Sequence, residues 1–101
     1  MPEKRWPGAL ELGRRIVKQR QLDGLSRETV AALAGVDLSN LGRIERGDVN
    51  PSFFTLVRIA GTLGIDVAEL VAGIGVEMLP PHTAVLTARE FANERRRRAA
   101  D

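Results

Sequence analysis

The segment Leu25–Arg46, LSRETVAALAGVDLSNLGRIER, determines the fold expected of this chain, and Gly47 follows it directly. It contains two short helical patterns that are separated by a break at Gly35. Ser26 and Asp37 precede these patterns, and both residue types can accept hydrogen bonds from the unpaired N–H groups at a helix start. The apolar residues on one face of each helix are Val30, Ala31, Ala34, Leu41 and Ile44. Two short helices joined by a tight, glycine-containing turn form a helix-turn-helix.

The segment resembles the DNA-binding core of the phage-repressor-like helix-turn-helix family, which is also called the Cro/C1 or XRE type. The residues that match the family are Leu25, Ser26, Ala31, Gly35, Val36, Leu41, Arg43, Ile44, Glu45 and Gly47. The stretch Phe53–Val71, FFTLVRIAGTLGIDVAELV, is similar to the last two helices of the family, so the resemblance covers about Leu12 to Gly73. It implies an all-α, five-helix, lambda-repressor-like DNA-binding domain, followed here by an extra C-terminal strap and helix.

The chain divides into three parts. Residues 1–8 contain two prolines and a glycine, which predicts an N-terminal arm. Residues 9–73 form the predicted Cro/C1-type helix-turn-helix domain, and residues 74–101 form a C-terminal extension. Trp6 is the only tryptophan, and we expect it either to cap the core next to the first helix or to contact a partner.

Apolar spacing predicts three further helices in the domain. The first covers Ala9–Gln21, the fourth covers Ser52–Leu63, and the fifth runs from Asp66 to about Ala72. The core positions expected on these helices are Ala9, Leu12, Ile16, Phe53, Leu56, Ile59, Ala60, Leu63, Val67, Leu70 and Val71. Packing must rely on aliphatic side chains, because only 4% of the residues are aromatic.

The C-terminal extension contains two apolar runs, Val76–Leu79 and Thr83–Leu86, on either side of two prolines. These runs predict short strands or an extended strap. Thr87, with Glu90 three residues later, matches a capping box, which predicts a helix over Ala88–Ala100. Four consecutive arginines near its end favour either a solvated helix terminus or a contact with phosphate or with an acidic partner.

The helix Asp37–Arg46 is the candidate recognition helix, because residues near the start of the second helix of this motif reach base edges in the major groove. Arg43 can donate two hydrogen bonds to guanine, Ser39 can bond either way, and Leu38 can touch a thymine methyl group. Gly42 either allows the backbone to approach DNA closely or is a surface position without special role. The expected base-reading residues are Leu38, Ser39, Gly42 and Arg43.

A second group of residues is expected to contact DNA phosphates. Arg27 lies in the first turn of the second helix, where exposed N–H groups and the helix dipole favour an anion. The full set of expected phosphate contacts is Arg27, Asn40, Arg46, Arg15 and Lys18, the last two from the basic face of the first helix. By the resemblance, basic residues often follow Gly47, but this chain has Asp48 and Val49 there.

The resemblance also implies a structural ion pair between Arg20, at the end of the first helix, and Glu45, late in the recognition helix. Three apolar residues depart from the pattern or lie outside it: Leu33, Phe54 and Phe91. We expect these to form a partner interface, since apolar patches on small domains often mark partners. For Phe54, the alternative is a ring folded under the C-terminal segment.

The composition does not favour an enzyme. The chain has no cysteine and a single histidine, His82, so a thiol nucleophile, a disulfide framework and a multi-histidine zinc site are excluded. It also lacks a phosphate-binding loop and a dinucleotide fingerprint. We therefore expect no metal and no cofactor.

The sequence does not predict a membrane contact. No apolar run approaches the ~18 residues that a membrane-spanning helix needs, and the N-terminal residues lack the apolar stretch of a secretory signal. We therefore expect a cytoplasmic protein. The net charge of +2 is weak support for a polyanionic partner.

The expected function is that of a sequence-specific DNA-binding transcriptional regulator. A homodimer is expected to bind an inverted repeat in double-stranded DNA through Asp37–Arg46. Repression by promoter occlusion is the expected outcome. The alternative is a protein-interaction module, such as the antitoxin of a toxin–antitoxin pair, which binds its partner through the C-terminal segment.

Overall fold

The computed structural model describes residues 4–83 and 85–100, and every regular element among them is helical. The elements are α1 (Pro7–Leu22), α2 (Arg27–Ala34), α3 (Leu38–Glu45), α4 (Phe53–Leu63), α5 (Val67–Val71), a 3-10 helix (Val76–Met78) and α6 (Ala88–Ala100). The all-α fold class predicted from the sequence is confirmed.

Side-chain caps set the starts of the central helices. The hydroxyl of Ser26 accepts from the Thr29 N–H at 3.1 Å, and the carboxylate of Asp37 accepts from the Asn40 N–H at 3.2 Å. Each cap satisfies a backbone donor that the helix itself leaves unpaired. Helices α2 and α3 therefore begin one residue after the capping residues from which the sequence patterns were counted.

The turn between α2 and α3 requires glycine for two reasons. Gly35 has a left-handed backbone with φ of 67°, which residues with a side chain rarely adopt. The guanidinium of Arg58, on α4, also lies against Gly35 and donates to the Ala34 carbonyl at 2.6 Å. A side chain at this position would collide with that guanidinium, so the turn fixes both α2 and α4.

Helix α1 begins at Pro7 rather than at the predicted Ala9. Proline suits a first helical position because its fixed φ is helical and its missing N–H would be unpaired there in any case. The described part of the arm is therefore Lys4–Trp6, and residues 1–3 lie outside the described residues. Trp6 is half-buried, and its Nε1 donates to Asn50 Oδ1 at 2.8 Å.

Five helices enclose one aliphatic core, in which α1 packs on α3 and α5, and α2 and α5 pack on α4. The largest fully buried side chains are Ile16, Val30, Leu41, Ile44, Ile59 and Leu70. Two predicted core positions are wrong: Val71 is exposed, and Phe53 is 71% exposed. Phe53 continues the apolar spacing of α4, but the neighbouring helices do not cover the first turn.

Helix α3 is held unusually close to α1. A Cβ atom at Gly13 would lie 2.3 Å from the backbone oxygen of Glu45, a distance that no side chain could tolerate. Gly13 therefore allows the two backbones to touch, and this contact fixes how α3 presents its other face to solvent.

The C-terminal extension contains no strand within its described residues 74–83 and 85–100. The first apolar run instead forms the 3-10 helix Val76–Met78, and the second lies outside regular structure, with Ala84 outside the described residues. The predicted helix Ala88–Ala100 is observed as α6, and none of its residues is buried. The longest extent is 62 Å, because α6 projects from the five-helix body.

Candidate nucleic-acid interface

Helix α3 presents one face to the core and the other to solvent. Leu41 and Ile44 are fully buried, whereas Leu38, Ser39 and Arg43 are exposed. The exposed face is the only part of α3 that a DNA duplex could reach, and Arg43 is its central cation.

A small network orders the start of this face. The Asp37 carboxylate accepts from the hydroxyl of Ser39 and from the Asn40 backbone N–H. These two bonds lower the pKa of Asp37, and the nearby positive charge of Arg43 lowers it further. Because the Ser39 proton is donated to Asp37, its oxygen remains available only as an acceptor toward a base.

The sequence pattern predicted that Gly42 lies on the exposed face of α3, but the structure differs. It is buried, and the side chains of Arg27 and Arg46 lie beside it: a Cβ atom would lie 3.2 Å from Arg46 Nη1 and 3.9 Å from Arg27 Cδ. The expectation that Gly42 is a base-reading residue stays a prediction. Its missing side chain leaves room for the side chains of Arg27 and Arg46.

Glu45 is the ionic centre of the domain. Its side chain is only 2% exposed, and it accepts from Arg20 Nε at 2.9 Å and Nη2 at 3.1 Å, and from Arg27 Nε at 2.9 Å. Arg20 is 11% exposed, whereas Arg27 is 44% exposed. The bidentate Arg20 bond joins α1 to α3, and Arg27 closes the network from α2 while its outer edge stays accessible to solvent.

Asp48, just after α3, binds two arginines. Arg46 Nε donates to Asp48 Oδ2 at 3.2 Å, and Arg5 Nε donates to Asp48 Oδ1 at 2.7 Å. The hydrogen bonds from Arg5 and then from Arg46 hold the pKa of Asp48 below its usual value. The contact of Arg5 with Asp48 could not be predicted from the sequence, because no local pattern links the arm to a loop 43 residues later.

Arg15 and Lys18 lie on the face of α1 that is next to Glu69 and Leu70 of α5, and their expected role as phosphate contacts stays a prediction. Gly13 faces α3, and the helical repeat turns positions 15 and 18 to the opposite side of α1. There Arg15 donates to Glu11 at 2.7 Å and to the Leu70 carbonyl at 3.1 Å. The unpaired carbonyls at the end of α5 attract this guanidinium, so Arg15 is a structural link between α1 and α5.

The hydrogen bonds of Glu11 with Arg14 and Arg15 on α1 should make the stability of the fold depend on pH. Hydrogen bonds from Arg14 and then Arg15 lower the pKa of Glu11 from 4.5 to about 2. A carboxylate whose pKa is lower in the folded state stabilises the fold above its unfolded pKa, and it loses this contribution as the pH falls from 4.5 to 2. We expect Glu11→Gln to remove that part of the acid sensitivity.

The measurement is the urea midpoint of wild type and Glu11→Gln at several pH values from neutrality down to 2. The gap between the two proteins should narrow as the pH falls, because wild-type Glu11 becomes neutral. Glu77→Gln, on the exposed 3-10 helix, is the control. A gap that stays constant with pH would contradict the role of Glu11.

The three candidate partner residues are all exposed. Leu33 and Phe54 are each 68% exposed, and Phe91 on α6 is 53% exposed. The Phe54 ring lies 5.4 Å from the guanidinium carbon of Arg58, a cation–π contact. The alternative expectation, a ring folded under the C-terminal segment, is wrong for Phe54.

Other kinds of site have little support among the described residues. Within residues 4–83 and 85–100, no group of three or more histidine, cysteine, aspartate or glutamate side chains could hold a metal ion. No helix of that part of the chain combines the length and the apolar character that crossing a bilayer requires. An apolar cavity of about 250 Å³ lies between the arm and α5, lined by Trp6, Ala9, Leu12, Leu56, Val71 and Ile74 among others.

The sequence is similar to a known family and to named regulators. A sequence model of the family described as Helix-turn-helix matches residues 16–70, more than half of the chain. The HTH-type transcriptional regulator DdrOP3 of Deinococcus deserti is 37% identical over 65 residues, which are 64% of this chain and 50% of that protein. The uncharacterized HTH-type transcriptional regulator YazB of Bacillus subtilis is 41% identical over 58 residues, 57% of this chain and 84% of that protein. The chain thus spans only half the length of the Deinococcus relative.

Solved structures share the fold. The restriction-modification controller protein C.AhdI from Aeromonas hydrophila is 39% identical with a TM-score of 0.60, covering 61% of this chain and 94% of that one. SinR, the master regulator for biofilm formation, was solved in complex with DNA. It is 37% identical with a TM-score of 0.56, and the match covers 58% of this chain and 95% of the SinR chain. A chain of a SinR–SinI complex is 28% identical with a TM-score of 0.59, and the match covers 89% of this chain and 99% of that chain. The matched family model and the shared fold show that this chain belongs to the Cro/C1-type (XRE) helix-turn-helix family of DNA-binding transcription regulators.

Proposed function

We propose that this protein is a sequence-specific DNA-binding transcriptional regulator that places α3 in the major groove. The observation that supports this most strongly is the division of α3, whose inner residues are buried while Arg43 and its neighbours are exposed. A helix held this way by α1 can enter a groove without losing its packing. The structure of SinR in complex with DNA supports the same use of the fold.

Base recognition is assigned to Arg43, with Leu38 and Ser39 in supporting roles. The exposed guanidinium of Arg43 can donate to the O6 and N7 atoms of guanine. Ser39 offers an acceptor to a cytosine or adenine amino group, because its own proton is bound by Asp37. Leu38, near the start of α3, can contact a thymine methyl group.

Phosphate contacts are assigned to Arg27 and Arg46, with Asn40 near the start of α3. Both arginines lie beside α3 at Gly42, so they can reach phosphates that border a groove occupied by α3. Each is held by a carboxylate through Nε, Arg27 by Glu45 and Arg46 by Asp48. Their outer N–H groups remain free to donate to phosphate oxygens.

We further propose that the protein acts as a homodimer on an inverted repeat, with recognition helices one duplex turn apart, roughly 34–36 Å. Exposed Phe53, Phe54 and Val57 on α4 provide an apolar surface for a second copy. Repression follows if the dimer covers a promoter. The named relatives are transcriptional regulators, which fits this reading.

Selection of bound duplexes from a random pool, together with a measurement of the mass of the protein in solution, tests this function. A palindrome with half-sites one turn apart and a dimeric mass would support it. Enrichment of no common sequence, with the wild-type protein folded, would contradict sequence-specific recognition.

Arg27→Gln should weaken binding to all duplexes alike, because phosphate contacts do not depend on sequence. Losing one contact should reduce the slope of log affinity against log salt by about 0.9. Fluorescence anisotropy between about 50 and 200 mM salt measures that slope. Arg14→Gln, which removes the same charge from the far side of α1, is the control. An effect confined to one DNA sequence would instead assign Arg27 to base reading.

A protein partner is a second candidate role, favoured by one observation: α6 projects from the body with Phe91 exposed. The SinR–SinI structure, which matches 89% of this chain, is a complex of two proteins. None of the relatives described above is named as an antitoxin, so a toxin is not the favoured partner. Phe91→Ala tests this role: an unchanged dimer mass and unchanged DNA affinity are expected if Phe91 serves another protein, whereas a loss of the dimer would place Phe91 in the dimer interface instead.

A further inference from the structure

We propose that Arg5 is a DNA-phosphate-binding residue, which the N-terminal arm brings beside the end of α3. The inference rests on the proposed function, because it extends the same DNA-binding surface. The arm is attached to the loop after α3 at two points: the Arg5 N–H donates to the Gly47 carbonyl at 2.7 Å, and Trp6 Nε1 donates to Asn50 Oδ1 at 2.8 Å. These bonds place the arm along that loop.

The Arg5 side chain meets the exposed face of α3 through Asp48. Arg5 and Arg46 bind opposite oxygens of this carboxylate, at 2.7 and 3.2 Å. Arg46 follows Arg43 by three residues, so the two share one side of the helix end. Arg5 therefore adjoins the proposed DNA-binding face, although it is far from α3 in the sequence.

Arg5, Arg46 and Asp48 form a cluster in which the two arginines are exposed. Arg5 is 63% exposed and Arg46 54% exposed, whereas Asp48 is only 17% exposed. Each arginine uses Nε toward Asp48, which leaves its other N–H groups for an anion. The planar guanidinium suits a phosphate group, to which it can donate two parallel hydrogen bonds.

Arg5 also sets the net charge of the group that it forms with Arg46 and Asp48. Two arginines and one aspartate give a net charge of +1, whereas Arg46 and Asp48 alone would cancel. A neutral pair would contribute little to phosphate binding, because affinity for the DNA backbone depends on the cations that displace condensed counterions. By binding both arginines, Asp48 keeps Arg5 beside Arg46.

The arm is fixed before DNA arrives. Arg5 has a positive φ of 56°, which non-glycine residues seldom adopt, and its N–H and its side chain are both bonded to the loop. A side chain that is already held loses less conformational entropy on binding than a free one.

Two charge-matched variants test this inference. Arg5→Gln and Arg14→Gln each remove one cation from an exposed, carboxylate-paired arginine, since Arg14 is 59% exposed and binds Glu11 at 2.6 Å. Arg14 lies toward α5, away from α3. The probe is a duplex of about 30 base pairs and mixed sequence, with anisotropy recorded between about 50 and 200 mM potassium chloride. Melting curves at the same salt show that each variant is folded.

We expect Arg5→Gln to reduce the salt slope by about 0.9 and Arg14→Gln to leave it at the wild-type value. An unchanged slope in Arg5→Gln would overturn the inference but leave the proposed function intact. Equal reductions in both variants would also overturn it, because the effect would then follow net charge rather than position. If the wild-type protein does not bind the duplex, the proposed function fails together with the inference.

Discussion

Glu45→Gln should lower the free energy of unfolding by about 3–5 kcal/mol, a large part of the stability of a domain this small. The substitution keeps the size of the side chain but leaves Arg20, only 11% exposed, facing a neutral amide. A buried guanidinium without its carboxylate bears an uncompensated charge, and the amide offers one acceptor where the carboxylate offered two. The bond that joins α1 to α3 would be the main loss.

Urea denaturation followed by circular dichroism at neutral pH measures this effect. Glu77→Gln removes the same charge from an exposed residue and should change stability by less than about 0.5 kcal/mol. The double variant Arg20→Met with Glu45→Met should be more stable than Glu45→Gln, since it leaves no buried charge unpaired, and Arg27, at 44% exposed, stays in contact with solvent. A loss below about 1 kcal/mol in Glu45→Gln would show that the pair does not hold α1 to α3.

Arg43→Ala should lower affinity for the selected DNA sequence by about 1–3 kcal/mol, or roughly 10- to 150-fold, and relax the preference at one base position. The reason is that Arg43 is the arginine on the exposed face of α3, and the proposed function assigns to it two parallel bonds to a guanine edge. The affinity for unrelated duplexes should fall much less, because the phosphate contacts remain.

Repeating the selection with the variant measures the change position by position. Ser39→Ala is the control within the same face, and its effect should be smaller because Ser39 can only accept while its proton is bound by Asp37. If the Arg43→Ala protein selects the same sequence with the same stringency, base reading does not depend on Arg43. Melting curves should be unchanged, since Arg43 is exposed.

The sequence predicted the helices well because their signals are local. Capping residues, glycines and apolar spacing set the starts and ends of α2, α3 and α6 within a residue or two. Burial was harder to predict. Phe53 fits the apolar spacing of α4, but its exposure depends on how far the neighbouring helices extend, which no spacing within α4 encodes.

The candidate site was predictable to the same extent. The helical repeat alone predicts that Leu41 and Ile44 lie on the buried face of α3 and that Arg43 lies on its exposed face. The positions of Arg15 and Arg5 do not, because each depends on a distant segment: Arg15 on the carbonyls of α5, and Arg5 on the loop at Asp48. A basic residue near the motif therefore says little about DNA contact until its acceptors are known.

The separation of α3 into a buried face and an exposed face has a consequence for the redesign of DNA specificity. Residues 38, 39 and 43 are exposed, and none of them binds Glu45, so we expect that they can be exchanged as a set to change operator preference at a small cost in stability. Gly42 is the exception. A Cβ atom there would lie 3.2 Å from Arg46 Nη1, so the guanidinium of Arg46 would have to shift. A library that varies the outer face should hold Gly42 constant to keep this proposed phosphate contact unchanged.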